Sequence, residues 1–151
     1  MATDAAAFEI RSFPGVGESK HLITRITSDM APFWDGFNSG QLILQNCSSC
    51  GRSRYPVAPV CPYCRTSAFK WEAVSGAGSV FSWIRYHKSY QPEFEPLMPY
   101  CVLSVQLDAG PRMFGRLASS SQPSIDMRVT AIGERWADGR ILPAFIEEQE
   151  N

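Results

Sequence analysis

The 151-residue chain predicts a mainly β protein: a short N-terminal helix, a four-cysteine metal ribbon and a five-stranded β-barrel. Three observations carry this. Four of the five cysteines fall in "NCSSCGRSRYPVAPVCPYC", residues 46–64. Five β-rich segments follow residue 76, separated by turn signals. Between residues 28 and 40 an aromatic cluster at helical spacing lies between cap-type residues.

The bulk numbers suit a small soluble protein. Hydrophobic residues make up 44% and charged residues 19%. The net charge is −1, and residues 72–151 hold more Asp and Glu than Lys and Arg, which argues against a nucleic-acid partner. No apolar run approaches the roughly 20 residues of a membrane helix, so no membrane partner is expected. The start "MATDAAAFEIRSF" lacks a basic stretch followed by an apolar core. The expected location is therefore cytoplasmic, where clustered thiols point to metal or catalysis rather than disulfides.

Residues 1–28 read as an N-terminal extension, with "HLITRIT" (21–27) as a short strand or extended lead. The helix then occupies "SDMAPFWDGFNSG". Ser28 or Asp29 would cap it, Pro32 suits its first turn and Gly40 its end. Phe33, Trp34 and Phe37 form one aromatic face. That face belongs to the core or docks a partner protein; the second reading makes these three the candidate partner contacts.

"QLILQNC" enters the ribbon as a strand and "FKWEAVSG" leaves it, so residues 29–75 form a helix-plus-ribbon unit. Cys47, Cys50, Cys61 and Cys64 are the candidate metal ligands. Each C-x2-C turn aims two sulfurs at one point, and two such turns close a four-thiolate cage. Gly51, after Cys50, supplies a position where positive φ is often needed, and Pro62 fixes φ just after Cys61. The reading is a rubredoxin-like ribbon with one structural zinc per chain. Iron, two disulfides, or four unrelated buried cysteines are the alternatives. Four protein ligands leave no open position for water, so the metal is not hydrolytic. Arg52, Arg54, Arg65 and Lys70 are near enough in sequence to offset the −2 charge of such a centre. Cys101 reads as a small buried hydrophobe in a strand.

Residues 76–151 hold the barrel: strands at 78–87, 100–107, 112–118, 127–133 and 140–148, most simply an OB-fold. Residues 119–126 leave room for one helical turn at most. Phe81 and Trp83 are expected to be alternate core residues of the first strand. With Tyr86 they could instead form a stacking platform for a single nucleic-acid strand, the minor reading. OB-folds bind through one face and the loops after strands one and four. The first of these loops, "KSYQPEFEPLMP" (88–99), carries Tyr90, Phe94 and Met98 and ends at Tyr100. It is either a solvated loop or the wall of an apolar tunnel. Arg85, Lys88, Arg112, Arg116, Arg128 and Arg135 are the cations at hand. His87 reads as structural. The chain contains no G-x-S-x-G, H-E-x-x-H or P-loop pattern.

In order, "PFWDGFNSGQL", the two knuckles, "WEAVSGAGSVFSW", "PYCVLSVQLDAG" and "AFIEE" resemble the small zinc-ribbon plus OB-fold proteins associated with acyl-CoA and lipid metabolism. The resemblance spans roughly residues 29–147. It implies a non-catalytic accessory subunit in a hetero-oligomer with a thiolase-fold enzyme: a thiolase, acyltransferase or aldolase. A hotdog-fold enoyl-CoA hydratase is the alternative partner. It also implies that the barrel borders or binds a CoA thioester, with Tyr90, Phe94, Met98, Tyr100, Arg112 and Arg116 as candidate contacts.

Overall fold

The computed structural model describes residues 7–15 and 25–149. Strand β1 is Ile10–Ser12, α1 Ala31–Asn38, β2 Leu42–Cys47, β3 Ser53–Arg54 and β4 Phe69–Val74. The barrel strands are β5 Ala77–Tyr86, β6 Tyr100–Leu107, β7 Arg112–Leu117, β8 Arg128–Arg135 and β9 Ile141–Glu147. All five lie where the sequence places them.

β5, β6 and β7 form an antiparallel meander. β7 then pairs parallel with β9, β9 antiparallel with β8, and β8 with β5. The sheet closes on itself, and a closed barrel leaves none of its own strands as an edge. The parallel pairing of third and fifth strands is the OB order. Inward positions alternate as a pleated strand requires: Cys101, Leu103, Val105 and Leu107 on β6, Met113 and Leu117 on β7. They meet Val80, Val129, Ala131, Ile141 and Phe145 in one core.

The first barrel strand departs from expectation. A register irregularity between Val80 and Ser82 turns Phe81 outward, 48% exposed, rather than into the core. Arg112 lies over its ring at 3.5 Å, so this ring is not an open stacking platform. Trp83 remains partly buried against the core.

Helix α1 begins differently from its sequence reading. Residues Ser28–Met30 make a 3-10 turn, and Met30 stands at the N-cap without a side-chain bond. Asp29 does not cap, because its carboxylate accepts from the Thr27 hydroxyl. Pro32 does sit in the first turn, and Gly40 follows the helix at φ +79°. Phe33 and Phe37 are 3% and 0% exposed and lie inside the chain's own core with Leu42 and Leu44. They are therefore not partner contacts: burying such rings contributes roughly 1.5–3 kcal/mol each to this fold. Trp34 alone of the three stays partly accessible, with no hydrogen-bond partner for its indole N–H among the described residues. Helix and barrel residues share one hydrophobic cluster, so the helix unit and the barrel are not separate bodies in packing.

The N-terminal extension is not a loose arm over residues 7–15. Ile10–Ser12 adds a parallel strand to β8, with Ile10 opposite Gly133 and Ser12 opposite Arg135. Phe8 packs on Phe37 with centroids 4.5 Å apart. Most of the predicted lead at 21–27 lies outside the described residues; residues 25–27 carry no regular structure.

Candidate metal centre and ligand groove

The ribbon is a three-stranded sheet in the order β3-β2-β4. Strand β2 ends at Cys47 and delivers the first knuckle. The two knuckles are built alike. The Gly51 N–H donates to the Cys47 carbonyl at 3.0 Å, and Cys47 N–H to the Arg52 carbonyl at 2.9 Å. In the second knuckle Arg65 N–H donates to the Cys61 carbonyl, and Cys61 N–H to the Thr66 carbonyl, both at 2.9 Å. Each turn needs a left-handed residue after its second cysteine. Gly51 takes φ +75° as expected; Arg65 takes φ +66° without being glycine, which the sequence did not signal. A Cβ on Gly51 would meet nothing within 4 Å. The Gly51→Ala variant thus isolates backbone strain, about 1–2 kcal/mol. Its thermal midpoint is expected to fall by a few degrees at full metal occupancy; an unchanged midpoint contradicts the strain argument.

All four sulfurs lie within 4.8 Å of one another. Cys47 and Cys64 Sγ are 3.5 Å apart, Cys50 and Cys61 Sγ 3.6 Å. These are not disulfide lengths, about 2.05 Å. They match the roughly 3.8 Å edge of a tetrahedron with metal–sulfur bonds near 2.3 Å. The cage therefore fits a closed tetrahedral metal with four protein ligands. Its electrostatics favour a cation. Donation from the Cys50 N–H, then from the Thr66 hydroxyl, pulls the Cys47 thiol down to about 5. For Cys50 the Arg52 N–H works the same way, but burial and the crowded sulfurs prevail and push it up to about 11. A dication removes the conflict by holding all four as thiolates. Of the four flanking cations only Arg54 is buried, at 3% exposure. Its Nε donates to Gln45 Oε1 at 3.0 Å and its guanidinium lies over Phe69. It thus places a cation inside the ribbon, opposite Gln45 and two residues along β2 from Cys47.

The second feature lies on the outer face of β5, β6 and β7. Tyr86 and Tyr100 are register partners and stack at 5.0 Å. Phe94, from the 3-10 helix Pro92–Leu97, stacks on Tyr100 at 5.0 Å. The loop after the first strand is thus a folded cover rather than a solvated loop. Three cavities meet at Tyr100. One of about 200 Å³ includes Phe13, Phe94, Arg116 and Trp136 in its wall. A second, about 300 Å³, adds Tyr90 and Gln91. The third, about 410 Å³, is polar: Arg85, Arg116 and residues 119–122, three serines and Gln122. Burial raises the Tyr100 phenol above its ordinary value.

The structure gathers four of the six expected ligand contacts here: Tyr90, Phe94, Tyr100 and Arg116. Tyr90 is 78% exposed, and its ring has Lys88 Nζ at 5.6 Å. Arg112 does not belong; it lies over Phe81 and donates to Gln106 at the other end of β7. Met98 lines none of the three cavities; its N–H closes the cover by donating to Glu95. Arg116 is committed to Glu134 through a bidentate pair, Nε to Oε1 at 3.0 Å, and is no free phosphate cation. Arg85 is the better placed one. It also donates to the buried Cys101 sulfur at 3.4 Å. Sequence reasoning left Phe13, Tyr86, Glu134 and Trp136 out of the ligand set. Tyr86 was legible as the outward neighbour of Tyr100; Phe13 was not, because nothing local announces the parallel β1–β8 pairing.

Comparison with known proteins fits the ribbon and the barrel. The family model for the rubredoxin-like zinc ribbon domain of ChsH2 matches residues 34–70, and the model for the ChsH2 C-terminal OB-fold domain matches residues 71–133. A DUF35 domain-containing scaffold protein of Methanocaldococcus jannaschii is 30% identical over 97 residues, covering 62% of this chain and 68% of the relative. The chain belongs to the DUF35/ChsH2 family. DUF35/ChsH2 relatives also include a probable enoyl-CoA hydratase alpha subunit of Thermomonospora curvata, 33% identical over 125 residues. A 3-oxo-4,17-pregnadiene-20-carboxyl-CoA hydratase alpha subunit of Mycobacterium tuberculosis is 31% identical over 105 residues. These matches cover 80% and 68% of this chain but only 38% and 33% of the two relatives, so the chain spans about a third of their length. Among solved structures, the Ltp2-ChsH2(DUF35) aldolase matches at TM-score 0.73 and 29% identity, covering 83% of this chain and 98% of that one. A DUF35 protein of Sulfolobus solfataricus matches at 0.58 and 13% identity, with 78% and 84% covered; it supports the fold alone. Among the described residues no helix is long and apolar enough to cross a membrane.

Proposed function

We infer that this chain is an accessory subunit of a thiolase-like acyl-CoA enzyme, and that its barrel holds part of the CoA thioester. One structural zinc per chain rigidifies the ribbon. The observation that carries the ligand reading is the junction at Tyr100, where aromatic cavities adjoin a hydroxyl-rich one holding Arg85. An acyl-CoA has the same two characters, apolar or flat parts joined to phosphates. The aldolase pairing named in the similar structure supports a thiolase-like partner. The hydratase names of two relatives favour a second reading, a hotdog-fold enoyl-CoA hydratase as partner.

Two measurements test this. Tagged chain, co-expressed separately with the thiolase-like enzyme and with the hydratase of its own organism, is expected to co-purify with the first; capture of the hydratase alone selects the second reading. Coenzyme A titrated into the isolated chain is expected to bind, and Tyr100→Ala to weaken that binding about tenfold, a loss of about 1.4 kcal/mol. That change removes one ring face and one hydroxyl donor. Equal binding by Tyr100→Ala would remove the groove from the reading.

A further inference from the structure

The N-terminal strap, residues 7–15, brings Phe13 into the groove. Phe13 lies flat on the Trp136 indole, with centroids 3.9 Å apart and an interplanar angle of 6°. Phe94 meets the Phe13 ring edge-on at 5.5 Å, and the Arg116 guanidinium stands 5.9 Å from it. Trp136 is buried, so the face that Phe13 covers is otherwise an apolar slot for one flat ring. We propose that Phe13 is a resident plug, and that the adenine ring of the CoA ligand takes its place on Trp136. The proposal rests on the acyl-CoA reading above.

The strap is built so that the plug can leave without the strap. Its anchors are Phe8 on Phe37 and Ile10 against the core. Backbone bonds hold it to β8: Gly133 N–H to the Glu9 carbonyl at 2.9 Å, and Phe13 N–H to the Arg135 carbonyl at 2.8 Å. Arg11 and Ser12, between anchor and plug, are exposed. Beyond Phe13 the chain turns at Pro14 and Gly15. A Cβ on Gly15 would lie 2.1 Å from the Phe13 ring and 2.2 Å from the Glu93 carbonyl. That glycine therefore lets strap and cover approach each other over the slot.

The occupant follows from what the slot adjoins. Its wall shares Tyr100 and Arg116 with the neighbouring polar cavity of Arg85 and the serines. A ligand spanning both has a flat ring at one end and phosphates at the other, which is the nucleotide end of CoA. Aromatic stacking is tolerant of ring identity, so a heteroaromatic base replaces a phenyl ring readily. A plug that must first vacate lowers apparent affinity by the fraction of open chains.

The test titrates wild type and Phe13→Ala with three probes: coenzyme A, adenosine monophosphate and 4′-phosphopantetheine. Phe13→Ala is expected to bind coenzyme A about tenfold tighter and to leave phosphopantetheine, which lacks the ring, unchanged. A gain confined to adenosine monophosphate supports the plug and identifies a free nucleotide as the ring's source. No gain with either ring-bearing probe, or an equal gain with phosphopantetheine, overturns it. 4-Fluorophenylalanine at position 13 keeps the native packing and reads displacement directly. Its fluorine resonance is expected to move to the solvent-exposed position on saturation with coenzyme A; an unmoved resonance overturns the plug. If wild type binds coenzyme A and the plug tests fail, only the plug falls. If neither protein binds coenzyme A, the acyl-CoA reading falls and the plug with it.

Discussion

Replacing Cys61 by Ser is expected to abolish metal binding and unfold the ribbon, residues 42–74. Cys61 is buried, and its sulfur sits 3.6 Å from Cys50 Sγ. The ribbon has little else to hold it. β3 is two residues long; Leu42 and Leu44 of β2 join the common core, while Tyr55, Val57, Trp71 and Val74 pack against it only partly buried. Residues 48–68 are turns and short extended pieces whose backbone is pinned by the two knuckles. In such small units the metal supplies the folding free energy, on the order of 10–16 kcal/mol for a structural zinc site. Serine is a poor zinc ligand, so the loss approaches that whole term for the ribbon. The barrel is a different case, since Val80, Leu103, Val105, Met113 and Phe145 make their own core. Hydrogen exchange is therefore expected to show 42–74 unprotected and β6 to β9 still protected, both in Cys61→Ser and in chelated wild type. Metal analysis of the wild type is expected to give about one zinc per chain. A Cys61→Ser variant with native exchange across the ribbon, or folded wild type without metal, would refute the structural role.

The parts of this molecule that follow local rules were legible beforehand. Two C-x2-C pairs specify a tetrahedral cage because the knuckle geometry is set within six residues. The barrel strands were legible because each is a β-rich segment set between turn residues. Three features were not. Phe81 faces solvent because of a one-residue irregularity that pattern counting cannot see. For the helix aromatics the sequence left core and partner both open, and only the packing places Phe33 and Phe37 in the core that helix and barrel share. Trp136 and Phe13 join the groove through a pairing between residues more than a hundred positions apart, and nothing in either segment encodes the other. The carboxylate that neutralises Arg116 belongs to the same class. Glu134 looked like one acidic residue among ten in residues 72–151, and only the barrel's closure sets it beside an arginine of another strand.

That pair supports the second large prediction. Arg116 and Glu134 are 13% and 6% exposed at their side chains, joined by two hydrogen bonds in a fork. Such a pair is not a large net stabiliser, because taking both charges out of water offsets much of their attraction. Removing one member is another matter. Arg116→Met leaves a buried carboxylate without its cation, in a largely aromatic wall that includes Phe13, Phe94, Tyr100 and Trp136. The expected cost is about 3–5 kcal/mol at neutral pH. For a chain of this size that lowers the thermal midpoint by roughly 10 °C. Glu134→Leu should behave similarly, for it strands the guanidinium. The double variant, Arg116→Met with Glu134→Leu, removes both charges and leaves apolar groups of comparable length. Its stability is expected to return to within about 1 kcal/mol of wild type, because no buried charge is left unpaired. The coupling between the two changes is then large and favourable to the double variant. Simple additivity of the two losses would show that the two side chains do not act as a buried pair.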